Sequence, residues 1–180
     1  MSIDFEKHNV RTSFSKAISD TDYLALIKDY EDVLYKIAYM YFRNEADSLE
    51  VVSETVYRSY KYKKSIKDSK YFKTWITKIL INVCNSYLKQ KKKYILKDTE
   101  IEKDTIYIDT SSSSDDKILI DEALSLLRYE YKTVLLLRYY QDFSVKETAK
   151  IMKIPANTVK TYTSRALREM KKYLKEDDYE

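Results

Sequence analysis

Glycine is absent from this sequence, and proline, cysteine and histidine occur once each in 180 residues. Each shortage closes a class of chemistry. Without glycine the chain cannot form the phosphate-cradling turns of a dinucleotide fold or a P-loop, where a Cβ would block the phosphate or the required backbone conformation. One cysteine, Cys84, excludes a disulfide within the chain, and with one histidine, His8, it cannot assemble the usual zinc tetrad. A carboxylate-rich site for a hard cation is left open by that count. Cys84 stands in an apolar stretch, which fits a buried thiol in a reducing compartment. Long apolar runs are missing as well: no stretch approaches the roughly 20 residues of a membrane span, and the start MSIDFEKHN lacks the basic-then-apolar order of a signal peptide. A soluble, cytoplasmic protein is expected.

What the sequence does contain is 19 tyrosines, 34% charged residues and 44% hydrophobic residues at helical spacing. With helix breakers almost gone, an all-α fold follows. Leu24, Ile27, Val33, Leu34, Ile37, Ala38 and Tyr41 mark a first helix, capped by Asp20 or Thr21. A second starts near Asn44 or Ala46, with Leu49, Val52, Val56 and Tyr60 on one face and Glu50 and Glu54 on another. YKKSIKDSK reads as a loop. The stripe Phe72, Trp75, Ile76, Ile79, Leu80, Val83, Tyr87 and Leu88 predicts a long third helix ending in KQKKK. Residues 95–116 then lose the pattern; they hold a short alternating piece, IYID, and a run of four serines, and read as a flexible linker. Helices resume with Ile118, Ala123, Leu124 and Leu127, followed by Val134 to Leu137. The expected architecture is two small helical domains, 23–94 and 117–175, joined by linker 95–116. An N-terminal extension 1–22 and an acidic tail 176–180 flank them.

A net charge of +4 hides a partition. Residues 57–97 carry 13 basic groups against 1 acidic, and residues 143–175 carry 9 against 2, with an acidic block between them. Two basic blocks suggest two surfaces that meet a polyanion. In the first, Tyr60, Tyr62, Tyr71, Phe72 and Trp75 interleave with Lys61, Lys63, Lys64, Lys67, Lys70 and Lys73. Rings that stack on unpaired bases beside ammonium groups that hold the backbone are single-strand chemistry.

The second block reads as helix, tight turn, helix. Ser144 and Glu147 form a capping box, Ile154 anchors the turn, and Asn157 or Thr158 caps the helix after Pro155. Val159, Thr163, Ala166 and Met170 face inward, leaving Lys160, Thr161, Ser164, Arg165 and Arg168 outward. A helix of that composition suits a DNA major groove, and Ile154 and Val159 are packing residues there, not base readers.

Taken together, ADSLEVVSETVYRSY, FKTWITKILINVCNSYLKQKKK and LLRYEYKTVLLLRYYQDFSVKETAKIMKIPANTVKTYTSRALREMKKYL resemble regions two and four of the sigma-70 family of bacterial transcription initiation factors, specifically its extracytoplasmic-function group. The resemblance implies a non-enzymatic factor that directs core RNA polymerase to promoter DNA and assists opening, with no cofactor, catalytic residue or metal. It implies that Asp47, Glu50, Val51 and Glu54 dock on core polymerase. It places Lys61, Lys63, Lys64, Lys67, Trp75, Lys78 and Asn82 against the displaced strand of the −10 element. Lys160, Thr161, Ser164, Arg165 and Arg168 would enter the major groove at the −35 element, with Lys146 and Lys150 on the backbone or in solvent. An anti-sigma factor, often membrane-anchored, is the further partner implied. The sequence departs from the family pattern where Lys153 and Asn157 replace frequent glycines, where Tyr162 and Thr163 replace an arginine and an aliphatic residue, and where Ser86 replaces an aspartate. A lysine at positive φ would cost about 1 kcal/mol.

Two other readings are compatible with parts of the pattern. A stand-alone helix-turn-helix regulator would use the first domain to dimerise, and Asp47, Glu50 and Glu54 on one helical side could attract a metal.

Overall fold

A computed structural model describes residues 18–66, 68–95 and 115–176. The expected extension up to residue 17 with His8, Lys67, the IYID piece and most of the linker, and the tail beyond 176 lie outside the described residues. Among those described, every regular element is helical. The first unit holds α1 (Asp20–Phe42), α2 (Glu45–Tyr62), two short 3-10 turns (Lys63–Ser65 and Ser69–Tyr71) and α3 (Phe72–Ile95). The second holds α4 (Asp115–Leu126), α5 (Tyr129–Leu135), a π-helical turn (Leu136–Tyr140), α6 (Val145–Met152) and α7 (Ala156–Glu176).

The cap of α1 is Ser19, one residue before the expected position; its Oγ accepts from the Asp22 amide at 3.1 Å. Ile18 before the cap and Tyr23 after it are both buried in one cluster, and this hydrophobic staple fixes where the helix begins. In α2 the expected apolar face is rotated. Leu49 and Tyr60 are exposed, while Ser48, Val51, Val52, Thr55 and Ser59 are buried. The hydroxyls explain the swap: Ser48, Thr55 and Ser59 donate to the carbonyls of Asn44, Val51 and Val56 at 2.6, 2.7 and 2.9 Å. Self-satisfied small side chains let α1 and α2 approach closely, so the larger ones turn outward. From α3, Phe72, Ile76, Leu80 and Val83 complete the core, and Cys84 is fully buried with them.

A chain without glycine still needs left-handed residues at helix ends. Arg43, Asp142 and Lys153 take φ of 55°, 55° and 57°. Each stands where a Cβ costs about 1 kcal/mol.

The two units share part of one buried core. Leu136, Leu137, Phe143 and Ile151 of the second belong to the same buried cluster as the core of the first. Tyr41 donates to Thr133 Oγ1 at 2.7 Å, Tyr30 to Gln141 Oε1 at 2.7 Å, and Tyr129 to the Ile81 carbonyl at 3.0 Å. Lys73 reaches across to the Gln141 carbonyl at 2.7 Å. The second unit keeps its own core, in which Leu127, Tyr131, Val134, Leu135, Val159 and Ala166 are buried.

Candidate nucleic-acid interface

The helix-turn-helix of α6 and α7 is set by local chemistry at both ends of α6. Ser144 Oγ accepts from the Glu147 amide at 3.2 Å, and the Glu147 carboxylate accepts from the Ser144 amide at 2.8 Å, closing the capping box. These bonds hold the Glu147 carboxyl below its usual range. At the other end Lys153 adopts the left-handed conformation in which its amide caps the Ala149 carbonyl. Helix α7 begins at Ala156, directly after Pro155, earlier than the Asn157 or Thr158 cap expected; the Pro155 carbonyl already accepts from the Val159 amide at 3.1 Å. Val159 and Ala166 are fully buried. On the opposite side Lys160, Thr161, Ser164, Arg165 and Arg168 are all exposed. At about 100° per residue these five span an arc of about 140°. Lys146 and Lys150 are exposed on α6. Ile154 and Tyr162, both half-buried, pack against the second core, and Tyr162 meets the Tyr131 ring edge-on at 5.5 Å.

On α3, Trp75, Lys78 and Asn82 fall within an arc of about 60°, turned away from the buried Phe72, Ile76, Leu80 and Val83. Asn82 is exposed and Lys78 half-buried. Trp75 is half-buried, and its Nε1 donates to Ser65 Oγ at 3.2 Å, which ties the indole to the turn after α2. Lys61 and Lys64 are exposed. Lys63 is placed differently: its ammonium pairs with Asp20, lies 3.5 Å from the Tyr60 ring centroid, and its side chain is 13% exposed. That pairing lowers the Asp20 pKa and raises that of Lys63. Beside this face, Tyr62 and Tyr71 are well exposed, with Lys61 and Lys70 lying 5.9 and 4.8 Å from their ring centroids. The alternation of tyrosine and lysine signals such rings, but not which of them stay in solvent. Lys73 of the same basic block is directed at the second unit.

The acidic side of α2 is more tied down than its sequence suggests. Asp47 Oδ1 accepts from the Tyr87 hydroxyl at 2.7 Å, and its Oδ2 from Lys91 at 2.7 Å and Asn44 at 2.8 Å. Burial pushes the Asp47 pKa up, but the bonds from Lys91, Asn44 and Tyr87 outweigh it and the net shift is downward. Burial also raises the Tyr87 hydroxyl, and the two carboxylates it bonds, Asp47 and Glu50, raise it further. Val51 is fully buried and supports the helix from beneath, offering no surface. Glu50 is exposed, and Glu54 accepts from Arg58 Nε at 2.5 Å. Together with Tyr57, which is 63% exposed and which the sequence does not single out, Glu50, Glu54, Arg58, Tyr87 and Gln90 line a cleft of about 490 Å³ between α2 and α3. Asp47, Glu50 and Glu54 do not gather into a metal-binding group; none of three or more such residues occurs among the described residues.

A capped helix-turn-helix with a basic outer face, carried beside a second basic and aromatic face, defines a nucleic-acid-binding helical protein. Comparison with known proteins narrows the class. The family model for sigma-70 region 2 matches residues 26–94, and that for sigma-70 region 4 matches residues 117–170. RNA polymerase sigma factor SigV of Bacillus subtilis is 33% identical over 84% of this chain and 90% of its own length. The ECF RNA polymerase sigma factor SigW of the same organism is 28% identical over 87% and 91%. Among solved structures, sigma factor RpoE in complex with the anti-sigma factor NepR, from Bartonella quintana, matches with a TM-score of 0.77 at 19% identity, covering 86% of this chain and 98% of that one. CnrH in complex with the cytosolic domain of CnrY matches at 0.65 and 15%, covering 88% and 91%. The chain belongs to the sigma-70 family, in its extracytoplasmic-function group, whose members direct promoter recognition and transcription initiation by RNA polymerase and are not enzymes.

Proposed function

We propose that this chain divides the work of initiation among three surfaces. The outer face of α7 reads the −35 duplex, with Lys160, Arg165 and Arg168 on phosphates or guanine edges and Thr161 and Ser164 between them. Lys61, Lys64, Lys78 and Asn82, with Trp75 beside them, hold the displaced strand of the −10 element, so that binding of unpaired bases offsets part of the cost of opening. The side of α2 that carries the exposed Glu50 and the half-buried Glu54, with its cleft, docks on core polymerase, while Asp47 and Val51 keep that helix in position. Two solved relatives in fold are complexes with NepR and with the cytosolic domain of CnrY; a protein of the anti-sigma kind is the regulatory partner proposed here, and the cytoplasm is where polymerase and promoter are met. Among the described residues no helix is long and apolar enough to cross a membrane.

The observation that carries this reading is α7, where five groups suited to nucleic acid are all exposed on one side while Val159 and Ala166 are fully buried on the other. Transcription by purified core polymerase on a promoter library tests it. The K61A/K64A variant should lose promoter opening far more than core binding, and Glu50→Lys should lose core binding. Equal losses in both assays for both variants would contradict the division of roles.

A further inference from the structure

Where α2 gives way to α3, like charges crowd the chain: Lys61, Lys63, Lys64 and Lys70 stand close together in sequence, and their repulsion works against any fixed conformation. Three ties oppose it. At the near end Lys63, the C-cap of α2 and the first residue of the Lys63–Ser65 turn, pairs with Asp20 in the first turn of α1 and lies over the Tyr60 ring. Further on, Ser65 Oγ accepts from the Trp75 indole, and Ile66 is 3% exposed in the core. Ahead of the Ser69–Tyr71 turn, Asp68 accepts from the Lys70 amide at 3.0 Å and pairs with the Lys70 ammonium at 2.8 Å. Between these ties Tyr62, Lys64, Lys70 and Tyr71 stay exposed.

Of the three, the Asp20 tie contributes least to folding. Helices α1 and α2 are already joined by the Tyr23 hydroxyl, 3.0 Å from the Val56 carbonyl and 2.5 Å from Ser59 Oγ, and by the buried cluster that holds Tyr23, Ile27, Val51 and Val52. Ser19 and Ile18 fix the start of α1 without Asp20. The Asp20 side chain is 65% exposed, and an ion pair with one partner so solvated adds little to stability. Its charge is also of the wrong sign: a carboxylate beside a surface that meets a polyanion weakens the attraction that brings the strand in. What the pair does set is direction. It turns the Lys63 ammonium inward, to a side-chain exposure of 13%, and so holds the turn on which Lys64 stands and from which Tyr62 projects.

We propose that Asp20 is a positioning residue for the −10 surface: by holding Lys63 inward it fixes the Lys63–Ser65 turn and aims Tyr62 and Lys64 at the displaced strand. This deepens the −10 assignment above and rests on it. Asp20 then has two opposed effects on the same ligand. It lowers the long-range electrostatic attraction, and it raises the part of the affinity that needs geometry. A phosphate contact tolerates a mobile lysine, whereas a base stacked on a ring does not. A strand that meets a turn already in its reading conformation has no ordering cost to offset, and apparent affinity scales with the fraction of chains in that conformation.

The two effects separate in a salt series. The full-length chain, assembled with core polymerase, is titrated with fork-junction DNA whose single-stranded overhang carries the −10 sequence of a promoter that the parent transcribes. Asp20→Asn keeps the shape of the side chain without its charge and frees Lys63 to take a phosphate. The slope of log affinity against log salt should therefore steepen by about 1. Affinity extrapolated to about 1 M salt, where counterion release no longer contributes, should nevertheless fall about tenfold. In the double variant Asp20→Asn/Lys63→Gln the freed charge is gone, so the slope should return to that of the parent while the extrapolated affinity stays low. Asp20→Glu should restore both. An extrapolated affinity that is unchanged in Asp20→Asn, that recovers in the double variant, or that Asp20→Glu fails to restore overturns the positioning role. A parallel loss of core binding also overturns it, because it marks general damage to the first unit. A parent that binds a shuffled overhang as tightly as the −10 sequence sinks the −10 assignment itself, and this proposal with it.

Discussion

Replacing Lys132 by methionine should stabilise the folded protein, and by an amount that depends on pH in a defined way. Burial, with Arg43 beside it, pushes the Lys132 pKa from 10.5 down to about 8. In the unfolded chain the amine returns to its ordinary value, so the unfolded state binds more protons between those two limits. Below pH 8 both states carry the charge, and the folded state bears the whole penalty, about 3 kcal/mol for a depression of this size. As pH rises from 8 to 10.5 the folded form sheds its proton first and the penalty fades. A methionine side chain fills the space of the lysine stem and brings no charge to bury. Urea unfolding of parent and variant should therefore give a stability gain of about 3 kcal/mol near pH 7 and about half of that near pH 9.5. Tyrosine ionisation affects both chains alike and cancels in the difference. A gain that is the same at the two pH values, or a loss at the lower one, would refute the claim that an unpaired charge sits there.

Other consequences are narrower. Lys153→Gly should raise stability by about 1 kcal/mol, visible as a melting temperature several degrees higher, because it relieves a φ of 57° without touching the outer face of α7. Ile151→Ala should cost about 2–5 kcal/mol in denaturant unfolding, since Ile151 is 1% exposed in the core that the two units share. Asp47→Asn should abolish the part of acid stability that Asp47 supplies: its folded pKa is lowered, so its contribution is present above the ordinary carboxylate range and lost as pH falls through the folded value. Acid titration of the variant, followed by circular dichroism, should lack that step. For single lysines on the −10 side, Lys64→Ala should reduce the slope of log affinity against log salt by about 1, whereas Lys63→Ala should leave the slope nearly unchanged and lower stability.

Which parts of this are readable from residue order alone follows from the range of the forces involved. The capping box at Ser144 and Glu147 and the outward set on α7 are decided within a few residues, and a local motif finds the one and helical spacing the other; Lys153 stands out as a turn position only against the family pattern. The buried face of α2 escapes it because hydropathy scores Ser48, Thr55 and Ser59 as polar, whereas their hydroxyls bond the carbonyls of Asn44, Val51 and Val56 and vanish from the balance. Lys63 and Asp47 show the same limit for charge. Both sit in blocks of one sign and look free, yet each is neutralised by a residue 43 or 44 positions away, Asp20 and Lys91. No local window contains that pairing.

Tyrosine abundance is the remaining compositional oddity, and for three of the 19, Tyr30, Tyr41 and Tyr129, the packing gives a physical cause. Where the two units meet, an aliphatic residue would add buried area but no orientation, and phenylalanine would do the same. A tyrosine supplies comparable area and one hydroxyl that must find a partner when buried, so it favours a single register of the interface. Tyr41 illustrates the point: it is buried, packs with its ring centroid 5.4 Å from that of Tyr129, and is satisfied by Thr133. Phenylalanine in place of Tyr129 tests the distinction. Tyr129→Phe should keep the chain's compactness in small-angle scattering but weaken its protection against hydrogen exchange at the boundary between α3 and α5, where the Tyr129 hydroxyl donates to the Ile81 carbonyl. A variant as protected there as the parent would mean that buried area alone sets the register.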